Sequence, residues 1–389
     1  MKRQLQYSFV FVIGIFVNTF AVGAGEWLIG FNEPFVAGYM QSLGQCPGCP
    51  TNTYQASQDL ITGRILDLAA NNHVGAFREI VPLSALHSSQ NATNYQPAID
   101  IIAKYSEFNL TLVLTLGLPM PAWMTPTGDG FNVMPDDDAS WGTLKNTLSW
   151  EMGNFVSALW NSPKISRAWM LSHLYVEGFN EFDSLHTLSG STNRASPARA
   201  ADLQNGIQWV LNQYGIQVKT LMPSVVGAYS GYQSPPSNLQ AQYVTDYYSA
   251  GGSGAPNVHV YVRNDDAGQG YSVMLGKLRN QVAAINASLP ASQKGQIVLG
   301  ETGASDRVDP YCTASTSAST LEISQRDLYY AAVAADSQIN SQVNMILFWR
   351  LMNLPVAQIP NCEAFFGAVN QDNSGYKGVG VNLFNYLKN

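Results

Sequence analysis

The chain has 389 residues; 12% are charged, about half of the roughly 25% usual in soluble proteins, and 11% are aromatic. Twenty basic and 27 acidic residues give a net charge of −7 with no basic block, which argues against a nucleic-acid footprint, and an apolar fraction of 46% excludes a disordered chain. The length holds one large α/β domain or two ordinary ones, and scarce charge with abundant Tyr and Trp suits a surface that meets neutral, ring-shaped ligands.

Residues 1–24 read as a secretory signal: Lys2 and Arg3 are followed by the apolar run 8–17 and then by small residues at Ala21, Gly23 and Ala24. The run is short for the ~20 residues of a membrane span, and Asn18 and Thr19 interrupt it. The expected mature product, residues 25–389, is therefore secreted or periplasmic, monomeric and without a membrane span. Four cysteines fit an oxidising compartment. Cys46 and Cys49 form Cys-Pro-Gly-Cys, and Cys312 and Cys362 stand alone; of three possible pairings, 46–49 with 312–362 is preferred. No thioredoxin-like βαβ pattern surrounds Cys-Pro-Gly-Cys, and the ligand spacing is wrong for zinc, so no metal is expected. Asn91, Asn109 and Asn286 sit in Asn-x-Ser/Thr triplets.

Eight short apolar runs read as strands: 27–31, 74–80, 111–117, 173–180, 218–223, 257–263, 296–301 and 344–350. Several are near-continuously apolar, as parallel strands buried on both faces should be. Helical patterns occupy 56–72, 97–108, 143–160, 198–213, 239–249, 271–288, 322–339 and 380–388. Ser196-Pro197 marks a helix start. The stretches 124–142 and 228–240 gather Gly, Pro, Asp and Ser and read as loops; within the first, Asp136-Asp137-Asp138 lacks the ligand spacing of a calcium loop and reads as a solvated run. Alternating strands and helices predict an α/β fold, a single-domain (β/α)₈ TIM barrel with elaborated βα loops, with a doubly wound sheet as the competing architecture. No Gly-x-Gly-x-x-Gly follows a strand, and no organic cofactor is expected.

In such a barrel the chemistry sits at the C-terminal ends of the strands. Those ends carry Arg78 on the second strand, Asn180-Glu181 on the fourth, His259-Val260-Tyr261 on the sixth, Glu301 on the seventh and Trp349 on the eighth. Two glutamates facing each other across a barrel mouth are what a two-carboxylate glycosidase needs: one acid protonates the leaving oxygen while the other carboxylate attacks the anomeric carbon. With these residues in this order, the chain resembles the retaining glycoside hydrolases on (β/α)₈ barrels, called clan A or the 4/7 superfamily. Pro119-Met120-Pro121-Ala122-Trp123 also resembles the Pro-x-Trp loop of family 39 members, whereas Phe182-Asp183 stands where such enzymes more often carry Pro.

The resemblance implies Glu181 as acid/base and Glu301 as nucleophile, the latter held ionised by Arg78 and the Tyr261 hydroxyl. Asn180 would donate to the sugar 2-hydroxyl, His259 would position the carboxylates, and Trp349, with Trp123, would offer aromatic platforms. Asn32-Glu33 forms a second Asn-Glu pair at the end of the first strand, and Glu33 is read there as a substrate-binding residue or loop anchor; Glu177, four residues before Glu181, is a second inward-facing candidate. Glu79 and Glu107 offer Arg78 structural pairing instead. The expected function is a secreted, endo-acting retaining hydrolase of a β-linked polysaccharide or oligosaccharide. The competing reading is a non-catalytic carbohydrate-binding barrel, which would follow if one glutamate turned away from the mouth. A serine hydrolase is disfavoured by the lack of Gly-x-Ser-x-Gly.

Overall fold

The computed structural model describes residues 28–32, 36, 71–90, 92–125, 128, 130, 134–135, 137–185, 195–234, 236–261, 270–304, 320–349, 351 and 377–388. The signal segment, the helical pattern at 56–70, Glu33, Asn91 and all four cysteines lie outside these residues.

Eight strands form one parallel sheet: β1 (Leu28–Asn32), β2 (Ala76–Pro82), β3 (Thr111–Gly117), β4 (Leu174–Glu177), β5 (Lys219–Leu221), β6 (Asn257–His259), β7 (Ile297–Thr302) and β8 (Val343–Trp349). Their order is β5-β4-β3-β2-β1-β8-β7-β6. Parallel bridges Leu221↔Ala255 and Val225↔Val258 join the two outer strands, so the sheet closes on itself. The helices outside it are α1 (Gln96–Glu107), α2 (Asp138–Asn161), α3 (Arg167–His173), α4 (Pro197–Gln213), α5 (Leu239–Ser249), α6 (Tyr271–Ser288), α7 (Thr320–Ala334) and α8 (Gly378–Lys388). This is the (β/α)₈ barrel expected from the alternation of apolar runs and helical patterns. None of the described helices is long and apolar enough to cross a membrane.

Local chemistry sets the helix ends. Ser196 caps α4 by accepting from the Arg199 N–H at 3.3 Å, with Pro197 in the first turn, where its missing N–H costs nothing. Three boundaries differ from expectation. The segment 124–142 is not all loop, because Asp137 accepts from the Ser140 N–H at 2.8 Å and starts α2 at Asp138. The acidic run is thus partly a helix cap, which also favours the positive helix N-terminus. The pattern 322–339 breaks after Ala334, where Asp336 accepts from the Gln338 and Ile339 N–H groups and opens a separate short turn. The fourth strand is preceded by the seven-residue α3, too short to show a helical period, and leaves the sheet at Glu177 rather than Asn180.

Period-two alternation divides each strand between two cores. Outward residues pack under the helices. Inward residues Ala76, Val113, Tyr175, Leu221, Val298, Met345 and Leu347 fill the barrel's lower half as a separate apolar cluster. Two residues further on, the same inward rows become polar: Ala76 leads to Arg78, Tyr175 to Glu177, and Leu347 to Trp349. The barrel is thus sealed with hydrocarbon below and lined with hydrogen-bonding groups at its C-terminal mouth.

Candidate active site

Arg78 is the hub. Its side chain is fully buried, and its Nε and Nη2 grip Glu177 Oε2 and Oε1 at 2.7 and 2.8 Å. Nη1 donates to Glu301 Oε1 at 2.9 Å and Nη2 to Asn180 Oδ1 at 2.7 Å. The planar guanidinium spreads four hydrogen bonds over two carboxylates and an amide, one more than the three donors of a lysine allow. Burial works against its charge, but Glu177 and then Glu301 more than offset this and hold it protonated. Burial likewise pushes Glu177 up, and Arg78's charge and hydrogen bonds overcome that and hold Glu177 below the usual carboxylate range. The neighbouring Glu79 points to the opposite face of β2, where it accepts from Tyr105 Oη at 2.6 Å and the Val36 N–H at 3.2 Å. Glu107 pairs with Lys104 instead.

Glu301 reaches the mouth through a bulge. Val258 pairs with Leu299, but His259 pairs with Glu301, so Gly300 is an extra residue in β7. A Cβ at Gly300 would stand 2.3 Å from Asn257 Oδ1, so any other residue would have to displace the buried Asn257 side chain. The Glu301 carboxylate accepts from Asn32 Nδ2 at 2.7 Å and Arg78 on Oε1, and from Tyr261 Oη at 2.7 Å on Oε2.

Glu181 lies beyond β4 in left-handed backbone, φ 45° and ψ 52°, a conformation that costs a non-glycine residue about 1–3 kcal/mol. Ser224 holds it there: its Oγ accepts the Glu181 N–H at 2.8 Å and its carbonyl accepts the Phe182 N–H at 2.9 Å. Asp183, buried one residue further on, accepts from the N–H groups of Val226, Gly227 and Ala228 at 2.9, 2.7 and 2.8 Å. The loops after β4 and β5 are thus locked together. We expect Asp183→Asn to lose about 2–3 kcal/mol in urea unfolding, since its amide cannot accept from all three donors, and to lower kcat more than it changes KM. Unchanged unfolding and turnover would show that the lock is dispensable.

His259 Nδ1 lies 3.0 Å from Glu181 Oε1 and 3.5 Å from Glu301 Oε2. Burial drives its pKa down to about 4, so the ring is neutral at working pH. One oxygen each of Glu181 and Glu301 and a His259 nitrogen all lie within 4.8 Å of one another. Among the described residues this is also the one His/Cys/Asp/Glu group close enough to hold a cation, but the Arg78 guanidinium already supplies positive charge to Glu301 there. Both carboxyls are raised above their ordinary values, each chiefly by burial; Arg78 opposes the shift in both, and His259 and Tyr261 also oppose it in Glu301. Glu301 accepts from Asn32, Arg78 and Tyr261 while Glu181 meets His259, so of this coupled pair Glu181 is the better placed to hold the shared proton and Glu301 to stay ionised.

Arg78, Asn180, Glu181, His259, Tyr261 and Glu301 thus converge on one mouth, with both glutamates facing it. Trp349 stands half-buried at the end of β8, paired in register with Asn32. Trp123 is exposed on the turn that follows the C-terminal end of β3, edge-on to His87 at 5.6 Å, and His87 in turn contacts Glu151 of α2. Ser224 had no place in the sequence reading, and Asn32 and Asp183 entered it only as neighbours of Glu33 and Phe182, without the roles they take here. Asn32 carried a usable signal, since it continues the inward row Leu28, Gly30 of β1; Ser224 and Asp183 act across two loops and carried none.

No family model matches the chain, and no curated protein matches it either. Solved structures do. XEG5B, a GH5 xyloglucan-specific β-1,4-glucanase from a ruminal metagenomic library, superposes with a TM-score of 0.63 at 13% identity, covering 94% of both chains. PbGH5A, a glycoside hydrolase family 5 enzyme from Prevotella bryantii B14, gives 0.58 at 13% identity, covering 93% of this chain and 96% of its own. A family 39 glycoside hydrolase from Bacteroides cellulosilyticus WH2 gives 0.53 at 12% identity over 84% of this chain and 60% of its own. What they share is the fold. At such identities the argument about chemistry rests on the side chains at this chain's own barrel mouth.

Proposed function

We propose that the chain is a secreted retaining glycoside hydrolase that cleaves a β-linked polysaccharide or glycan internally. One observation carries this reading: glutamates from the ends of β4 and β7 approach within 4.8 Å across the mouth. Retaining enzymes place their carboxyls about 5–5.5 Å apart, whereas inverting ones leave about 6.5–9.5 Å for a water. The glycoside hydrolases that share the fold support the substrate class. The positive, apolar and small-residue succession of residues 1–24 supports export.

The reaction follows from the hydrogen bonds. Glu301 Oε1 is taken up by Asn32 and Arg78, which leaves Oε2, steadied by Tyr261, to attack the anomeric carbon. Glu181, whose pKa burial raises, gives its proton to the departing glycosidic oxygen as that bond breaks. Glu181, now ionised, takes a proton from water; the hydroxide displaces Glu301 from the glycosyl-enzyme and configuration is retained. Asn180 presents its Oδ1 to Arg78, so its amide N–H groups remain to donate to the sugar 2-hydroxyl. Trp349 supplies an apolar face to the ring.

The test is digestion of xyloglucan, β-mannan and mixed-linkage β-glucan, followed by proton NMR of the nascent ends and by product-length analysis. The β-anomer should appear first, with a ladder of oligosaccharides. Initial release of the α-anomer would overturn the retaining mechanism, and monosaccharide alone would overturn internal cleavage.

A further inference from the structure

The described residues leave three indoles exposed, and two of them, Trp150 on α2 and Trp209 on α4, stand together, 41% and 54% exposed. Their rings meet edge to face at 5.9 Å, and Tyr214, just beyond α4, meets Trp150 the same way at 6.1 Å. Scattered surface aromatics need no explanation, but a contiguous cluster does. Beside it a cavity of about 190 Å³ opens between the two helices, several times the roughly 30 Å³ that one water occupies.

The cavity's polar groups suit an uncharged, hydroxyl-rich ligand. Its lysine, Lys145, pairs with Asp202 at 3.2 Å, so no net charge remains to draw an acidic or basic partner. Asn146 contributes an amide to the lining. Ser149 lies on the floor, 2% exposed, and its Oγ has no hydrogen-bond partner. It faces Gly206 of α4, where a Cβ would come within 2.5 Å of that oxygen. A buried hydroxyl of this kind is costly unless something satisfies it. The exposed rings are also too few to seal a second copy of the chain, which takes about 800 Å² from each partner.

We propose that this outer wall is a second carbohydrate-binding site, taking a pyranose of the same polymer that enters the barrel mouth. The sugar's C–H face stacks on the Trp209 indole, with Trp150 edge-on beside it, and its hydroxyls reach Asn146 and the Lys145–Asp202 pair. The site is remote from the chemistry: α4 runs from the loop after β4 down to the start of β5, so Trp209 and Tyr214 lie toward the barrel floor. Its role is to hold the polymer near the enzyme, not to turn it over. The inference rests on the glycosidase reading for its choice of ligand.

The experiment compares the full chain with a Trp150→Ala/Trp209→Ala double variant. Native gels containing xyloglucan, galactomannan or mixed-linkage β-glucan measure retardation, with Glu301→Gln added to both proteins so that the polymer stays intact. We expect roughly ten-fold weaker retardation in the double variant, the scale of losing aromatic stacking. Without Glu301→Gln, we expect slower hydrolysis of the polymer and an unchanged rate on its short oligosaccharides. Equal retardation in both proteins, or none in either while hydrolysis persists, would overturn the second site and leave the active-site reading standing. Retardation that depends on the tryptophans with no hydrolysis of any polymer would support the site and overturn the glycosidase reading. Self-association that the double variant loses, without any retardation, would overturn the proposal in favour of an interface between copies.

Discussion

Glu301→Gln is expected to reduce hydrolysis to background, and Glu181→Gln to reduce it by roughly 10²–10⁴-fold on natural glycosides. The two losses should differ in kind. Glu181 gives a proton to the leaving oxygen, so a substrate whose leaving group departs unassisted, such as a dinitrophenyl glycoside, should recover most of its first-step rate in Glu181→Gln. It should recover nothing in Glu301→Gln, where the attacking oxygen is gone. The pH profile adds a second check. Burial raises both carboxyls, so the rate should climb as pH rises through the loss of the first proton and Glu301 ionises. It should fall as pH rises further and Glu181 loses its proton. Glu181→Gln should flatten the alkaline limb while leaving the acid limb in place. Wild-type turnover in either variant would end the two-carboxylate reading.

Arg78→Met should do the largest damage to the fold, about 3–5 kcal/mol in denaturant unfolding, because it strands a fully buried Glu177 without its partner. The dependence on pH should also change sign for this group. In the wild type, Arg78 holds Glu177 low against burial, so its stabilisation is complete above the unfolded value of about 4.3 and is lost as pH falls through the lower folded value. In Arg78→Met, burial acts on Glu177 against only the weaker opposition of His259 and Ser224, and raises its pKa. Its contribution is then greatest below the unfolded value and is lost as pH rises through the folded one. The deficit of the variant should therefore shrink on acidification from pH 7 toward about pH 4. A deficit independent of pH would show that the damage is one of packing rather than charge.

The contrast between Asn32 and Ser224 shows what could be read from the chain alone. The eight strands were legible because a parallel strand buried on both faces must be apolar along its length, and Thr111–Gly117 is buried throughout. Glu181, His259, Tyr261 and Glu301 were legible because each stands at or just past the end of such a run, and Arg78 because a charge interrupts one, with β2 continuing to Pro82. At β1 the alternation Leu28, Gly30, Asn32 marks the amide of the Asn32-Glu33 pair as the inward group, and it is Asn32 that donates to Glu301. Asp137 was hidden for a different reason, since three consecutive acids look solvated until a helix is known to begin among them. Ser224 and Asp183 were illegible in principle. Each acts on residues about forty positions away in sequence, and no local spacing announces such a contact. The departure at Phe182-Asp183 is now intelligible, because the carboxylate there carries the loop lock.

The bulge in β7 makes the nucleophile a matter of parity. Val298 and Glu301 are three residues apart, an odd step, yet both face the barrel's inside because Gly300 is not counted in the pairing. A strand without that uncounted residue would carry its carboxylate outward, under the helices, with no change in composition beyond one glycine. The distance between the two glutamates therefore depends less on either glutamate than on a residue with no side chain. A one-codon deletion at Gly300 would be more disabling to the mouth than most substitutions around it.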